Sequence, residues 1–408
     1  FSPDASQRMA AAKAMLKEPD ASRRNMLAKA RVDETDVTVQ AWLTSALAAV
    51  DMSDPAATTR LAAVQVLAQS ARPEVLLLLN QQLASEQDVA VQQALKMAIR
   101  QVQDGLKWGE RLGVLFTGIS LGSILMLVAL GLAITYGLMG VINMAHGELM
   151  MIGAYATYLV QLLFRQYLPS GFDYYLIAAI PVSFITSALV GAALERSVLR
   201  HLYGRPLETL LATWGISLML MQAVRTLFGA QNVGVENPSW MSGSWALLSN
   251  LQLPWNRMLI VTFSMAVLAA VALLIGRTRL GLFVRGVTQN RPMASCMGVN
   301  TARIDTYAFA LGSGIAGLAG CALSQIGNVG PDLGQSYIVD SFMVVVLGGV
   351  GQLAGTVYAA MGLGLLNKVL EGWAGAVLAK IAVLVFIIVF IQKRPQGIFA
   401  MKGRSAEA

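Results

Sequence analysis

The sequence predicts an all-α protein, a polytopic transmembrane helical bundle preceded by a small soluble α-helical domain. Two observations predict this fold class. Charged residues make up 13% of the 408 residues, about half of the roughly 25% that is usual in soluble domains. The deficit is also uneven: of 30 basic and 23 acidic residues, 11 and 12 lie within residues 1–105, which leaves 19 and 11 for the rest. A balanced soluble region therefore precedes an apolar, basic one.

Residues 1–105 form the predicted soluble domain. Alanine-rich runs alternate with turns that contain Pro or acidic residues, and between residues 55 and 104 the apolar residues recur at helical spacing. Two helices followed by a similar pair resemble a degenerate HEAT-like repeat, whose period is about 40 residues. The region has no His, no Cys and no Gly-rich loop, which favours a packing or partner-docking module over an enzyme.

Residues 106–400 form the predicted transmembrane domain, and 401–408 form a tail. Apolar segments of this length and continuity are helices, because only helices or closed barrels satisfy the backbone in lipid. The predicted segments are Leu112–Thr135, Leu149–Phe164, Tyr174–Leu194, Thr209–Val224, Met258–Gly276, Thr306–Ile326, Ser341–Leu347, Leu353–Leu366 and Ala376–Ile391. They give roughly nine crossings. Around 337–355, where Gly348, Gly349 and Gly351 interrupt the run, a broken or re-entrant helix is the alternative to a full span.

Basic residues predict the orientation, because Lys and Arg are retained on the cytoplasmic side. They cluster after the third, fifth and last segments: Arg196, Arg200 and Arg205; Arg277, Arg279, Arg285, Arg291 and Arg303; Lys393, Arg394, Lys402 and Arg404. The loop 229–256 carries few charges and is rich in Asn, Ser, Pro and Trp. We therefore expect the loop and residues 1–105 outside, and the tail 401–408 in the cytoplasm. The start at Phe1 fits a removed signal peptide or an incomplete reading frame.

Several function classes are disfavoured by composition. Cys296 and Cys321 lie in unlike surroundings, a charged loop and an apolar segment, so no disulfide or metal site is predicted. No soluble basic patch supports nucleic-acid binding. The chain has no Gly-x-x-x-x-Gly-Lys-Ser/Thr phosphate loop, so ATP hydrolysis, if needed, must come from a partner.

One stretch places polar side chains between two apolar runs. Asn143, His146 and Gly147 share a helical face by their spacing, and Glu148 aligns with Ile152 and Tyr155. Polar groups at membrane depth usually face a bundle interior or an aqueous path. A cytoplasmic turn between two spans is the alternative, and residue chemistry alone does not separate the two.

Four segments carry a resemblance to a known family. The run Gly137-Leu138-Met139-Gly140-Val141-Ile142-Asn143-Met144-Ala145-His146-Gly147-Glu148 resembles the signature of the branched-chain amino-acid type of ABC permease, which includes urea permeases. Residues 281–299, 344–356 and 394–399 resemble its coupling segment, its late Gly-rich motif and its C-terminal end. Mild departures are Arg285-Gly286-Val287 in place of Arg-Ala-Val, and Cys296 in place of a small aliphatic residue.

This resemblance implies a permease subunit of an ABC importer for a small polar solute, in a bacterial inner membrane with the N-terminal domain in the periplasm. It implies four kinds of partner besides membrane lipid: a second homologous permease subunit, two cytoplasmic ATP-binding subunits that use the ATP, and a periplasmic solute-binding protein. No cofactor is expected on this chain itself. The fused N-terminal domain resembles that of urea permeases, so urea is the expected solute and branched-chain amino acids are the alternative. A passive channel or secondary transporter is the rival class, and a membrane enzyme comes third.

The resemblance also implies site residues. The expected solute path includes Asn143, His146, Glu148, Tyr155, Gly348 and Gly349, with Glu148 holding a neighbouring helix through a paired hydrogen bond. The expected ATPase-coupling residues are Arg285, Gln289, Asn290, Met293, Ala294, Met297 and Gly298. A short amphipathic helix from Arg285 to Met297, ended by Gly298, is predicted to dock on the ATPase. A solvated basic loop is the alternative.

Overall fold

The structure, a computed structural model, describes residues 2, 4–140, 142–248, 250–394 and 396–399. The described chain is 81% helical with almost no strand, which confirms the all-α prediction. The predicted tail 401–408 lies outside the described residues. The chain divides into two compact units, residues 1–113 with 246–252, and residues 114–245 with 253–408. The division at 113 falls eight residues after the boundary predicted at 105, because no linker interrupts the helix there.

The helices of the first unit are short, apart from the last, which extends past the end of the unit. Their bounds are α1 Ala5–Lys17, α2 Arg24–Asp33, α3 Val37–Asp51, α4 Ala57–Ala68, α5 Pro73–Ser85 and α6 Val89–Met139. Their apolar faces form one core, to which every helix contributes buried leucine, valine or alanine. The predicted soluble region therefore consists of helices joined by short turns.

The first unit contains an internal repeat of 52 residues. Arg8 pairs with Glu34 and Arg60 pairs with Glu86, both at 2.8 Å, and the second pair follows the first by 52 positions. Asp36 and its counterpart 52 residues later each accept two backbone N–H groups at the start of the following helix. Fully or nearly buried core residues repeat at the same interval: Leu27 and Leu79, Val39 and Val91, Leu43 and Leu95.

The repeating unit therefore differs from the two-helix, roughly 40-residue unit that the apolar spacing suggested. Each copy has three helices, α1 to α3 and then α4, α5 and the start of α6. In each copy an arginine of the first helix forms an ion pair with the glutamate 26 residues later, just before the third helix. This pair links the first helix of the copy to the segment before the third. Apolar spacing predicts helices but not ion pairs between residues 26 positions apart. It therefore did not predict the 52-residue period.

The remaining helices belong to the second unit, and the strands of one small sheet are divided between the units, since residues 246–252 belong to the first. Their bounds are α7 His146–Tyr167, α8 Tyr175–Ser197, α9 Pro206–Phe228, β1 Ser244–Leu248, β2 Leu251–Pro254, α10 Trp255–Arg277, α11 Arg279–Gln289, α12 Arg291–Cys296, α13 Thr301–Ser324, α14 Leu333–Gly348 and α15 Leu353–Lys393. Seven described helices are long and apolar enough to cross a membrane, and α14 is a shorter apolar helix. Every predicted segment overlaps one of these helices.

Helix α15 is two antiparallel limbs rather than one rod. Gly375 has φ 80° and ψ 165°, outside the helical region. The chain beyond the second limb returns to the start of the first, since the Ile398 N–H donates to the Leu347 carbonyl at 2.9 Å. The predicted segments Leu353–Leu366 and Ala376–Ile391 therefore lie on separate limbs. The ambiguous region 337–355 contains a break, because α14 ends at Gly348 and α15 begins at Leu353.

The centre of the second unit is α13, packed most extensively against α7 and α8. It is almost entirely buried along its apolar length. A Cβ on Gly153 of α7 would overlap the backbone of Gly317 of α13, so the two helices approach each other backbone to backbone. Small residues permit such close approach of transmembrane helices, and α7 is thereby held firmly against the core helix.

Candidate solute path and docking groove

The polar stretch before α7 begins outside the helix. Asn143 is 3% exposed, and its Oδ1 accepts the N–H of Ala145 at 3.0 Å, just ahead of the first helical residue, His146. The prediction that Asn143 shares a helical face with His146 and Gly147 is therefore wrong. An asparagine side chain that accepts a nearby backbone N–H competes with helix formation and favours a turn.

His146 is fully buried at the start of α7. Its Nε2 lies 3.1 Å from the Val128 carbonyl of α6, and its Nδ1 has no hydrogen-bond partner among the described residues. The ring therefore ties the start of α7 to the middle of the apolar part of α6.

Glu148 is 1% exposed. Ser217, at the middle of α9, donates its hydroxyl to Glu148 Oε1 at 3.0 Å. A second contact reinforces the first, because the Met144 N–H donates to Thr213 of α9 at 3.2 Å. The structure thus contains the hydrogen bond to a neighbouring helix that we expected of Glu148. Its other oxygen, Oε2, has no partner among the described residues.

Tyr155 continues the same line of α7, with Ile152 between it and Glu148. It is 2% exposed, and its ring centroid lies 4.7 Å from that of Phe228 at the far end of α9. Its hydroxyl also has no partner among the described residues. The predicted alignment of Glu148, Ile152 and Tyr155 is confirmed by the continuous helix.

Four side chains on α7 and the turn before it thus present buried polar atoms that no described residue satisfies: Asn143 Nδ2, His146 Nδ1, Glu148 Oε2 and Tyr155 Oη. Each unsatisfied buried group costs about 1–3 kcal/mol, so native proteins satisfy such groups with water or a ligand. Their concentration on α7 and the turn before it favours a hydrated polar path.

Gly348 and Gly349 are not brought together with the other expected path residues. The first turn of α14 contacts α7, where Gly334 packs against Gly147. Gly348 lies fourteen residues later on the same helix, about 21 Å away at 1.5 Å per residue. There it packs against Gly355, and Gly349, with φ 99°, packs against Phe399. These two glycines therefore lie at the other end of α14.

The segment expected to contact an ATPase is two helices, not one. The predicted single helix from Arg285 to Met297 is interrupted at Asn290, which has φ −153° and ψ 96° and accepts the Met293 N–H through its side chain. Asn290 caps α12, and Pro292 stands in its first turn, where a missing N–H costs nothing. Gly298, with φ 80°, follows the end of α12, as the predicted helix stop requires.

A groove of about 660 Å³ lies along α11 and α12. Its lining includes five of the seven expected coupling residues, and these are Gln289, Asn290, Met293, Ala294 and Met297. Met293 and Met297 are 60% and 77% exposed. Arg285 instead bonds the Gly281 carbonyl through Nε at 3.3 Å. Leu282 and Phe283, which the sequence analysis missed, also line the groove; their adjacency on the apolar side of α11 was the available signal.

Among the described residues, no group of three or more His, Cys, Asp or Glu side chains could hold a metal ion. Cys296 is exposed on α12 and Cys321 is buried in α13.

Comparison with known proteins gave one family model and several relatives. Residues 114–392 match the model described as branched-chain amino acid transport system, permease component. The chain is 29% identical over 296 residues to the high-affinity branched-chain amino acid transport system permease protein LivH of Salmonella typhimurium, covering 70% of this chain and 94% of that protein. It is 27% identical over 290 residues to the permease protein BraD of Pseudomonas aeruginosa, and the match covers 70% of this chain and 94% of BraD. The probable branched-chain amino acid transport permease protein LivH of Methanocaldococcus jannaschii is 25% identical over 306 residues, which cover 71% of this chain and 92% of that protein. No solved structure gave a significant match.

Proposed function

The chain belongs to the family of branched-chain amino acid transport permeases, and from that premise we propose that it forms the solute path of an ABC importer in the bacterial inner membrane. The observation that carries this proposal is the group of buried, unsatisfied polar atoms on α7 and the turn before it, at Asn143, His146, Glu148 and Tyr155. A solute that bears donors and acceptors can satisfy these atoms in passing. Asn143 and Tyr155 supply neutral hydrogen-bonding groups, and Glu148 also fixes α9 through Ser217.

ATP hydrolysis is assigned to two cytoplasmic partner subunits, with a second homologous permease and a periplasmic solute-binding protein completing the importer. The support for an ATPase contact is the groove along α11 and α12, where Met293 and Met297 are exposed beside Phe283. Exposed methionines in a groove suit the docking of a partner's apolar residues. A passive channel or secondary transporter has no use for such a groove.

Branched-chain amino acids are the first candidate solute, because LivH and BraD, which are similar over more than nine tenths of their length, are branched-chain amino acid permeases. Urea is the second candidate, and a specific observation favours it. The described hydrogen-bond partner of Glu148 is the uncharged Ser217, and Glu148 Oε2 and Tyr155 Oη have no described partner, so these residues offer acceptors for the N–H groups of a neutral solute. Residues 1–113, outside the matched range, are consistent with the extended permeases of urea importers that the sequence resembles.

Uptake into proteoliposomes that contain the assembled importer separates the candidates. Radiolabelled leucine and radiolabelled urea are supplied in parallel with the binding protein, with and without ATP inside the vesicles. ATP-dependent accumulation of one solute identifies it. Equal entry without ATP contradicts the importer and favours a passive channel.

Orientation is tested with one membrane-impermeant maleimide. Ser53 lies exposed in the turn between α3 and α4, and Cys296 is exposed on α12. We expect Ser53→Cys to be labelled from the periplasm of spheroplasts, and native Cys296 only after the membrane is permeabilised. The reverse pattern contradicts the periplasmic placement of the first unit.

A further inference from the structure

A cluster of buried charges lies outside both the solute path and the docking groove. Glu195 near the end of α8 and Asp305 near the start of α13 both have side chains with 0% exposure. Arg200 and Arg291 pair with them, so two carboxylates face two guanidinium groups and the cluster is neutral on balance. Neither the path nor the groove explains why charges are buried here.

Glu195 receives hydrogen bonds from three side chains. Thr306 of α13 donates to Oε2 at 2.7 Å, Tyr203 donates to Oε1 at 3.0 Å, and Arg200 donates from Nη2 to Oε2 at 3.2 Å. Arg200 also reaches the Thr306 hydroxyl at 3.1 Å. This half of the cluster fastens the end of α8 to the first turns of α13.

Arg291 forms the other half of the cluster. It is the first residue of α12, and its Nη2 donates to Asp305 Oδ2. Its guanidinium carbon lies 5.0 Å from the centroid of the Tyr203 ring, within the range of a cation–π contact. Tyr203 therefore touches both halves. Burial, reinforced by the Asp305 and Glu195 carboxylates, raises the pKa of Tyr203, so its hydroxyl remains a donor at neutral pH.

The cluster stands between the docking groove and the helix that carries the path residues. Arg291 precedes the groove residue Met293 by two positions on α12. Asp305 lies on α13, which packs backbone to backbone against α7 where Gly317 meets Gly153. A contiguous series of contacts therefore runs from α12 through α13 to α7.

We propose that the Arg291–Asp305 pair is a coupling latch, which binds the ATPase-docking helix α12 to the core helix α13 so that displacement of α12 is passed to the helices of the path. This inference rests on the proposed function and deepens it. Arg291 and Asp305 are positioning residues, since neither touches solute or nucleotide. Glu195 and Tyr203 hold the receiving end of the latch in place.

The first test measures the latch directly with the native thiol on α12. In a Cys321→Ser background, Cys296 of the assembled importer is spin-labelled. Arg291→Gln and Asp305→Asn should each increase the mobility of the label by a similar amount. The double variant should add little to either, because both changes remove one interaction. Additive effects, or unchanged mobility, overturn the latch.

The second test measures coupling in proteoliposomes. For the solute that the wild type accumulates, radiolabelled leucine or urea, the number of molecules taken up per ATP hydrolysed should fall roughly ten-fold in Arg291→Gln and Asp305→Asn, a factor that corresponds to one lost interaction. The ATPase subunits should remain bound and hydrolyse ATP at the basal rate. The control is Arg303→Gln, which changes an exposed arginine on α13, the helix of Asp305, and should leave the number of molecules taken up per ATP unchanged.

Arg291→Lys keeps the charge and the fold but loses the planar contact with Tyr203. The number of solute molecules taken up per ATP hydrolysed should therefore lie between the values for the wild type and for Arg291→Gln. This variant tests the latch even where Arg291→Gln fails to assemble. An unchanged uptake per ATP in Arg291→Lys and Asp305→Asn, with ATPase bound, overturns the latch while the proposed function stands. Failure of the wild type to bind any ATPase overturns the proposed function instead.

Discussion

Both units of the molecule bury carboxylates, but they surround them differently. In the first unit, Glu34 and Glu86 each pair with an arginine and also accept two backbone N–H groups of the following turn, at 3.0–3.1 Å. All of these donors lie in the same copy of the repeat as the carboxylate. The ion pairs stabilise that copy, and the carboxylate oxygens, which already accept hydrogen bonds, do not need another ligand.

Two carboxylates of the second unit, Glu148 and Asp305, leave capacity for another ligand, unlike Glu195 with its three side-chain donors. Glu148 has a single hydrogen bond, from Ser217, and Asp305 has an oxygen, Oδ1, without a partner among the described residues. Both belong to helices at the centre of the bundle. The comparison shows that burial of a charge is not by itself a functional signal. Fully satisfied carboxylates stabilise a fold, whereas partly satisfied ones can bind a solute or change partners.

The largest expected effect comes from removing a path group. Asn143→Leu eliminates the buried Nδ2 donor. We expect uptake in proteoliposomes to fall roughly 10- to 100-fold, which corresponds to the loss of one or two hydrogen bonds. The variant should still assemble, because α7 is held by its contacts with α9 and α13. The measurement is the initial rate of ATP-dependent uptake per assembled importer.

The matched control is Asn143→Asp, which keeps the oxygen that accepts the Ala145 N–H and loses the amide donor. If the turn alone matters, Asn143→Asp behaves as the wild type. If Nδ2 contacts the solute, both variants lose uptake. Full uptake by Asn143→Leu removes this stretch from the path.

A second, smaller effect concerns the exposed side of the bundle. Met293→Glu places a charge in the apolar groove, at a cost of several kcal/mol once a partner covers it. Solute-stimulated ATP hydrolysis should fall roughly ten-fold or more, while the permease still inserts. Ser295→Glu adds the same charge on the same helix outside the groove lining and should leave stimulation intact. Equal responses of the two variants contradict docking in the groove.

A third effect tests the fully satisfied carboxylates. Glu86→Gln removes the charge that pairs with Arg60, and hydrogen-exchange protection of residues 73–102 should fall roughly ten-fold, the size of one charge-assisted hydrogen bond. Asp104→Asn is the control, because it breaks an ion pair with Lys107 whose side chains are 71% and 59% exposed, and such pairs contribute little. Solute uptake per assembled importer should not change in either variant.

The sequence predicted the helical class and helices over all nine apolar segments, because long, continuously apolar runs satisfy their backbone in lipid as helices. It also predicted the Glu148 register with Tyr155. It did not predict that Asn143 stands outside the helix or that Asn290 divides the docking segment, since both depend on a side chain capping a nearby backbone N–H. The 52-residue repeat and the pairing of Arg291 with Asp305 depend on contacts between distant positions, which local spacing does not encode.

The smallest expected effect is the pH response of the first unit. Hydrogen bonds from Arg8 and Arg60 lower the pKa of Glu34 and of Glu86 to about 2, below the ordinary value of about 4.3. Because the folded-state pKa is lowered, the stabilisation from each carboxylate is fully present above the unfolded-state pKa and is lost as pH falls towards 2. Hydrogen-exchange protection of residues 5–102, corrected for intrinsic rates, should therefore be flat from pH 8 to about pH 5 and decline below about pH 4. In the double variant Glu34→Gln/Glu86→Gln, the hydrogen-exchange protection should be lower at neutral pH and should decline less at acidic pH. An identical decline in the double variant assigns the acid sensitivity to other carboxylates and removes the two pairs from the account of this unit's stability.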